Sequence, residues 1–170
     1  MNKCDYHFDN GRYPIIQDLQ GKANVFFQYQ CILVDLVGSI RKLKLGMGDA
    51  KEIKQEITEK MRFALVNAMR GNQKICIYVG AESVDLSEFS DPKEFPMQML
   101  FDYEEGRKHD NYVGIVHDDE KYDNVSRVVD GHFFAADKFG IVVLTDSPNP
   151  ADVELLIKGL PHEKMGKFVM

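Results

Sequence analysis

The clearest hydrophobic pattern in the chain is a helical one in its first half. Apolar side chains recur every three or four residues at Ile53, Ile57, Met61 and Leu65, which places them on one face of a helix. Asp49 stands at the start of this pattern with Glu52 three residues later, the spacing of a capping box. Gly71 follows as a stop signal, so the sequence predicts a helix over residues 49–70.

Two other stretches are apolar at consecutive positions. Residues 74–80 and 139–145 carry few polar side chains, which is typical of strands buried on both faces of a parallel sheet. Residues 13–17 form a shorter apolar run that begins with Pro14 and ends before Asp18, and this run predicts a first strand.

The region between the first strand and the long helix is ambiguous. Spacing of apolar residues after Gly21 favours a helix that continues to about Val37 and stops at Gly38, although residues 31–34 could instead form a buried strand. Residues 40–45 alternate between apolar and basic side chains and predict a short strand.

The second half of the chain adds predicted helices at residues 94–106 and 150–158. Between them, residues 109–131 are acidic and polar, and we interpret them as a loop-rich insert. Strands that alternate with helices predict a three-layer α/β fold with a mostly parallel sheet, similar to P-loop NTPase and Rossmann-like folds. We therefore expect one domain over residues 13–170 after a polar lead-in at 1–12.

Charge and cysteine content narrow the range of functions. The chain has 170 residues and a formal net charge of −6, which argues against a general nucleic-acid or anionic-lipid binder. No apolar run is long enough to cross a bilayer, and the N-terminus has no apolar signal core. Three cysteines, widely spaced, are typical of free thiols in a reducing compartment. The expected location is cytoplasmic.

A phosphate-binding loop is the first chemistry to look for at the end of the first strand. Gly21 and Lys22 match part of such a loop, but Ile16 occupies the position of its leading glycine and Ala23 that of its hydroxyl residue. Thr145 and Asp146 end another predicted strand. These four residues, Gly21, Lys22, Thr145 and Asp146, are weak candidates for cofactor binding, and the sequence predicts no cofactor and no catalytic residue.

The densest group of potential metal ligands lies in the acidic insert. His117, Asp118, Asp119 and Glu120 are consecutive, but their spacing fits neither a calcium loop nor a zinc motif, so no metal is predicted there. The apolar run that ends at Asp35 imitates the magnesium-binding strand of nucleotide hydrolases. A helical interpretation of that segment makes the match accidental.

Residues 13–24 resemble a strand–turn–helix of dynein heavy chain, in the fifth AAA+ module of its motor ring, where the pattern is approximately Trp-Pro-Leu-Ile-Ile-Asp-Pro-Gln-Gly-Gln-Ala-Asn. Gln17 and Leu19 depart from that pattern, and Tyr13 replaces the tryptophan. The residues that match are Pro14, Asp18, Gln20, Gly21, Ala23 and Asn24. Looser similarity continues through the long helix, Gly71-Asn72 and the strand after it, and through residues 139–150.

That dynein module lacks hydrolytic residues and acts structurally. The resemblance therefore implies a degenerate AAA+ domain that serves as a non-catalytic structural or assembly module, with protein partners in dynein-, microtubule- or cilium-associated complexes and a cytoskeletal or ciliary location. We considered the insert at residues 109–131 a candidate surface for such a partner. The alternative is a small α/β enzyme or ligand-binding domain with an unrecognised site near the insert.

Overall fold

A computed structural model of the chain describes residues 8, 10–121 and 133–170. Most of the lead-in at 1–12 and the part of the acidic insert from residue 122 onward lie outside these described residues. Five parallel strands form one sheet, in the order β2-β3-β4-β1-β5. The strands are β1 (Pro14–Gln17), β2 (Ile32–Asp35), β3 (Lys74–Tyr78), β4 (Gly140–Thr145) and β5 (Gly166–Val169). The predicted parallel α/β fold is confirmed.

Helices connect these strands and form the two outer layers. In chain order they are α1 (Ala23–Gln30), α2 (Val37–Lys44), α3 (Ala50–Gly71), α4 (Met97–Leu100), α5 (His109–Tyr112) and α6 (Pro150–Ile157), with short 3₁₀ turns at Leu86–Phe89, Val113–Ile115, Asp118–Glu120 and His162–Lys164. Alternate strand residues face opposite layers, as β geometry requires. Ile75 and Ile77 pack in a large core with α3, whereas Cys76 packs in a smaller cluster with Phe27 of α1.

The long helix begins where the sequence predicts, but it includes Gly71, the predicted stop signal. The Asp49 carboxylate accepts the backbone N–H of Glu52 at 2.9 Å, and Asn72 ends the helix in the left-handed conformation with φ +55°. Ile57, Met61 and Leu65 are essentially buried. The helix thus supplies the main hydrophobic layer against the sheet, and this prediction is confirmed.

Three local predictions were wrong. The predicted helix that continues to Val37 ends at Gln30, and the alternative strand, β2, follows it; the predicted strand at residues 40–45 is instead part of helix α2. Basic side chains that alternate with apolar ones suit an exposed helix as well as a strand, and Ile40 is buried against the core. Residues 94–106 contain only the single turn of α4, because Asp102 caps the turns after it through the N–H groups of Glu104 and Glu105.

The fifth strand was not predicted. Residues 166–169 include Gly166 and Lys167, so their sequence lacks the continuous apolar character of the other strands. β5 pairs with β1 at the edge of the sheet, where Lys167 is exposed. An edge strand has one solvated side, and its sequence signal is therefore weaker.

Candidate functional site

Ligands of open parallel α/β sheets bind at the carboxyl ends of the strands. In this fold that edge brings together the loop from β1 into α1, the end of β3, and the segment Thr145–Ser147 after β4. All four of the candidate cofactor-binding residues lie there.

The loop after β1 is organised around the carboxylate of Asp18, which is 2% exposed. This carboxylate accepts three backbone N–H groups, from Gln20 at 3.0 Å, Lys22 at 2.6 Å and Ala23 at 2.5 Å. Gly21 has φ +65°, a conformation that favours glycine and lets the loop curl around the carboxylate. The site is an anion-binding turn at a helix N-terminus that already holds an anion of its own chain.

Electrostatics agree with that geometry. Burial by itself would raise the pKa of the Asp18 carboxyl, but the N–H donors of Ala23, Gln20 and Lys22 outweigh burial and hold it below its ordinary value. The carboxylate is therefore ionised at neutral pH. Gly21 and Lys22 thus form a structural turn, and the backbone N–H of Lys22 that a phosphate would need is already engaged.

Thr145 and Asp146 connect the ends of two strands. The Thr145 hydroxyl donates to the Gly80 carbonyl at 2.9 Å and accepts the N–H of Ser147 at 3.1 Å, and the backbone N–H of Asp146 donates to the same carbonyl at 2.8 Å. Thr145 is buried. Its polar atoms bind protein groups, which is a structural role at the edge of the sheet.

The side chain of Asp146 forms a pair that the sequence did not reveal. The hydroxyl of Tyr78, at the end of β3, donates to its carboxylate. Burial and then this hydrogen bond raise the pKa of the Tyr78 phenol above its ordinary range, so the phenol stays protonated. The pair links β3 to β4 directly beside Asn24 of α1, whose side chain also contacts Tyr78.

The apolar run that ends at Asp35 is a strand, so the reason given for discounting it was wrong. Its position in the sheet gives a better reason. β2 is an edge strand, separated from β1 by β3 and β4. The Asp35 carboxylate accepts the N–H of Val37 at 2.9 Å and caps the start of α2. Two strands therefore separate Asp35 from the loop in which a phosphate would bind.

The side chains of residues 117–120 in the acidic insert do not meet at a common site. Asp118 pairs with Lys121 at 2.7 Å, Asp119 is exposed, and Glu120 turns inward to Arg62. The ring Nε2 of His117 lies 2.7 Å from Glu94 Oε2, on a different segment. Of the four predicted candidates, only His117 joins a ligand-like group, and its partners are Glu94 and Glu59.

Arg62 is the buried centre of this region and was missed by sequence reasoning. It lies in α3 and is 1% exposed. Its guanidinium donates to both oxygens of Glu59 at 2.5 and 2.6 Å, to both oxygens of Glu120 at 2.6 and 2.9 Å, and to the Ile115 carbonyl at 2.9 Å. The Glu59 and Glu120 hydrogen bonds raise the pKa of Arg62, against the effect of burial. A lone arginine in a helix gives no sequence signal that it will be buried.

The described part of the acidic insert packs against the body of the domain. Tyr112, Ile115 and Val116 are buried in the main core, and Glu120 is held by Arg62. The predicted partner surface over residues 109–131 is therefore limited, within the described part, to polar side chains such as His117 and Asp119. Residues 122–131 lie outside the part that the structure describes.

A separate cleft of about 320 Å³ lies between α2, the start of α3 and α6. Its lining includes the apolar side chains of Ile40, Leu43 and Phe89 and the basic side chains of Lys44 and Lys54. Both lysines are paired, with Glu82 and Glu88 respectively. Among the described residues, the lining of this cleft includes neither the Asp18 loop nor residues 109–121 of the insert.

None of the helices in the described part of the chain is both long and apolar enough to cross a membrane. Comparison of the chain with protein-family models, with curated proteins and with solved structures gave no match. Function must therefore be argued from the geometry.

Proposed function

We propose that this chain is a non-catalytic structural or assembly module whose fold resembles a degenerate AAA+ domain and which does not turn over nucleotide. The observation that carries this proposal is the Asp18 carboxylate, bound by the N–H groups of Gln20, Lys22 and Ala23. A phosphate would have to occupy the same donors.

Displacement of that carboxylate is unfavourable for two reasons. The three N–H donors cannot serve both anions, and an ionised Asp18 left beside a polyphosphate would repel it. The loop also offers no hydroxyl at position 23, where a P-loop places its magnesium ligand. Nucleotide hydrolysis by the P-loop mechanism has neither a phosphate cradle nor a metal ligand here.

The five-stranded parallel sheet is of the α/β class that the resemblance implies. The segment that resembles dynein, residues 13–24, forms β1, the Asp18 loop and the start of α1. By analogy with that module, the chain would act in a dynein-, microtubule- or cilium-associated assembly.

Protein partners are the ligands that fit this proposal. Val25, Phe26 and Tyr29 of α1 are 56%, 48% and 81% exposed. Tyr29 follows Val25 by four residues and Phe26 by three, so it lies on the same side of the helix as each of them. Residues 23–34 contain no charged side chain. Exposed aromatic side chains without neighbouring charge are typical of the centre of a protein interface.

Thermal unfolding in the presence of magnesium and ATP tests the proposal directly. A ligand at one hundred times its Kd stabilises the folded state by about 2.7 kcal/mol, which is an easily measured rise in Tm. We expect no rise with millimolar ATP, ADP or GTP. A clear nucleotide-dependent rise, abolished by substitution of Lys22 with alanine, would contradict the proposal.

The assembly role needs a separate measurement. Affinity capture with the intact chain, with quantitative mass spectrometry, is compared for the native protein, a Tyr29→Lys variant and a Leu45→Lys control. Leu45 is 72% exposed but lies far from α1 along the chain, after α2. Axonemal or dynein components lost only from the Tyr29→Lys sample support the proposal. A set of metabolic enzymes that is unaffected by either change would contradict it.

A further inference from the structure

We propose that Glu59, Glu94 and His117 form a binding site for a divalent metal ion of the zinc type. One donor atom from each residue lies within 4.8 Å of the other two. The closest pair, His117 Nε2 and Glu94 Oε2, is a hydrogen bond of 2.7 Å, and a bound ion would replace the proton that the two atoms share. This inference is independent of the proposed assembly role.

The three ligands come from three separate parts of the chain. Glu59 lies in the middle of α3, Glu94 in a tight turn, and His117 just before the 3₁₀ turn Asp118–Glu120. The turn that carries Glu94 is closed by two reciprocal backbone hydrogen bonds between Asp91 and Phe95, at 3.1 and 2.9 Å. Tertiary structure thus holds the three donors together.

The buried arginine positions two of these ligands. Arg62 binds both carboxylate oxygens of Glu59 directly. It also binds Glu120, whose Oε2 accepts the backbone N–H of His117 at 2.9 Å. Hydrogen bonds to ligating carboxylates and to the segments that carry ligands are how proteins orient a metal site. Arg62 is buried, whereas the three ligand side chains are 44–51% exposed, so an ion reaches them from solvent.

Local charge also favours a cation. Three carboxylates, those of Glu59, Glu94 and Glu120, surround the single guanidinium of Arg62. Arg70 is nearby but donates to the backbone carbonyl of Glu120. The three carboxylates outnumber the two guanidinium groups, and a divalent ion would offset the remaining negative charge.

The donor set indicates which ion. One imidazole nitrogen and two carboxylate oxygens are a combination that Zn²⁺ accepts, with a fourth position left for water. Mg²⁺ and Ca²⁺ prefer oxygen ligands alone. We therefore expect a preference for zinc, and for cobalt as its spectroscopic substitute, over magnesium and calcium.

Competition with a chromophoric chelator measures the affinity of the intact chain for Zn²⁺, under reducing conditions. We expect one equivalent to bind, His117→Ala to weaken binding at least tenfold, and Glu94→Gln to weaken it while circular dichroism stays unchanged. His162→Ala is the matched control, because His162 lies in another turn, away from this group, and should bind zinc like the native protein.

Three outcomes would overturn the proposal. The first is no zinc binding below about 100 μM, which corresponds to a binding free energy near −5.5 kcal/mol. The second is equal binding by His117→Ala and the native chain, which would show that zinc binds elsewhere. The third is tighter binding of calcium or magnesium than of zinc, which would contradict the role of the imidazole.

Discussion

Replacement of Asp18 tests whether its carboxylate organises the loop at the carboxyl end of β1. Asp18→Ala removes an acceptor of three N–H bonds and leaves the Ala23 N–H buried without a partner. A hydrogen bond to a charged group contributes about 1.5–3 kcal/mol, but the three bonds share one carboxylate and are not additive. The N–H groups of Gln20 and Lys22 are only partly buried and can bind water. We expect the free energy of unfolding to fall by about 2–4 kcal/mol.

The pH dependence gives this prediction a signature. The Asp18 pKa is lower in the folded chain than its ordinary value of 3.8, which applies to the unfolded chain. Its contribution to stability is therefore complete above that ordinary value and is lost as the pH falls through the lower, folded value. The difference between the native protein and Asp18→Asn, measured by urea unfolding, should be largest near neutral pH and should shrink in acid.

Chemical rescue separates anion binding from simple packing. Asp18→Gly removes the whole side chain and makes room for a formate ion at the same N–H groups. We expect sodium formate to raise the Tm of this variant more than that of the native chain, and sodium chloride at equal ionic strength to have no such selective effect. The reasoning would be refuted if Asp18→Ala were as stable as the native protein at neutral pH. It would also be refuted if the difference in stability between the native protein and Asp18→Asn did not change in acid.

Further predictions concern the core and its turns. Arg62→Ala should lower the free energy of unfolding by about 3–5 kcal/mol, because it removes a fully buried side chain and leaves the largely buried Glu120 carboxylate without its partner. Arg41→Ala, which removes an exposed ion pair, should cost less than about 1 kcal/mol. Equal losses of the two variants in urea unfolding would show that the pair between Arg62 and Glu120 is unimportant. Gly80→Ala should destabilise the folded protein by about 1–2 kcal/mol, since φ is +60° and a Cβ would lie 2.9 Å from a neighbouring methyl group. Gly38 lies within a helix with open space around it, so Gly38→Ala should stabilise the protein by about 0.5–1 kcal/mol. Thermal unfolding should therefore show a lower Tm for the first variant and a higher Tm for the second. Met61→Ala should cost about 2–5 kcal/mol because the side chain is fully buried, and a loss below 1 kcal/mol by the same measurement would contradict the packing described.

The amino-acid sequence alone determined those elements whose stabilising interactions are between residues close together along the chain. The capped helix α3, the apolar strands β3 and β4, and the failure of Gly21 and Lys22 to complete a phosphate loop all follow from residues close together in sequence. The resemblance of residues 13–24 to a dynein module is also a property of sequence, and the assembly role it implies remains a prediction. Residues 31–34 were ambiguous and residues 40–45 were wrongly predicted as a strand, because periodicity over a few residues fits both helix and strand.

Tertiary structure decided the rest. Whether Asp18 binds the N–H groups of its loop or faces solvent depends on the path of the chain between β1 and α1. Whether Arg62 can be buried depends on carboxylates that lie 3 and 58 residues away in sequence. The group formed by Glu59, Glu94 and His117 likewise exists only after folding, since its members are distant along the chain. Sequence pattern records the neighbours that a residue has along one element, and the charges and donors that meet from different elements are set by the packing of the whole domain.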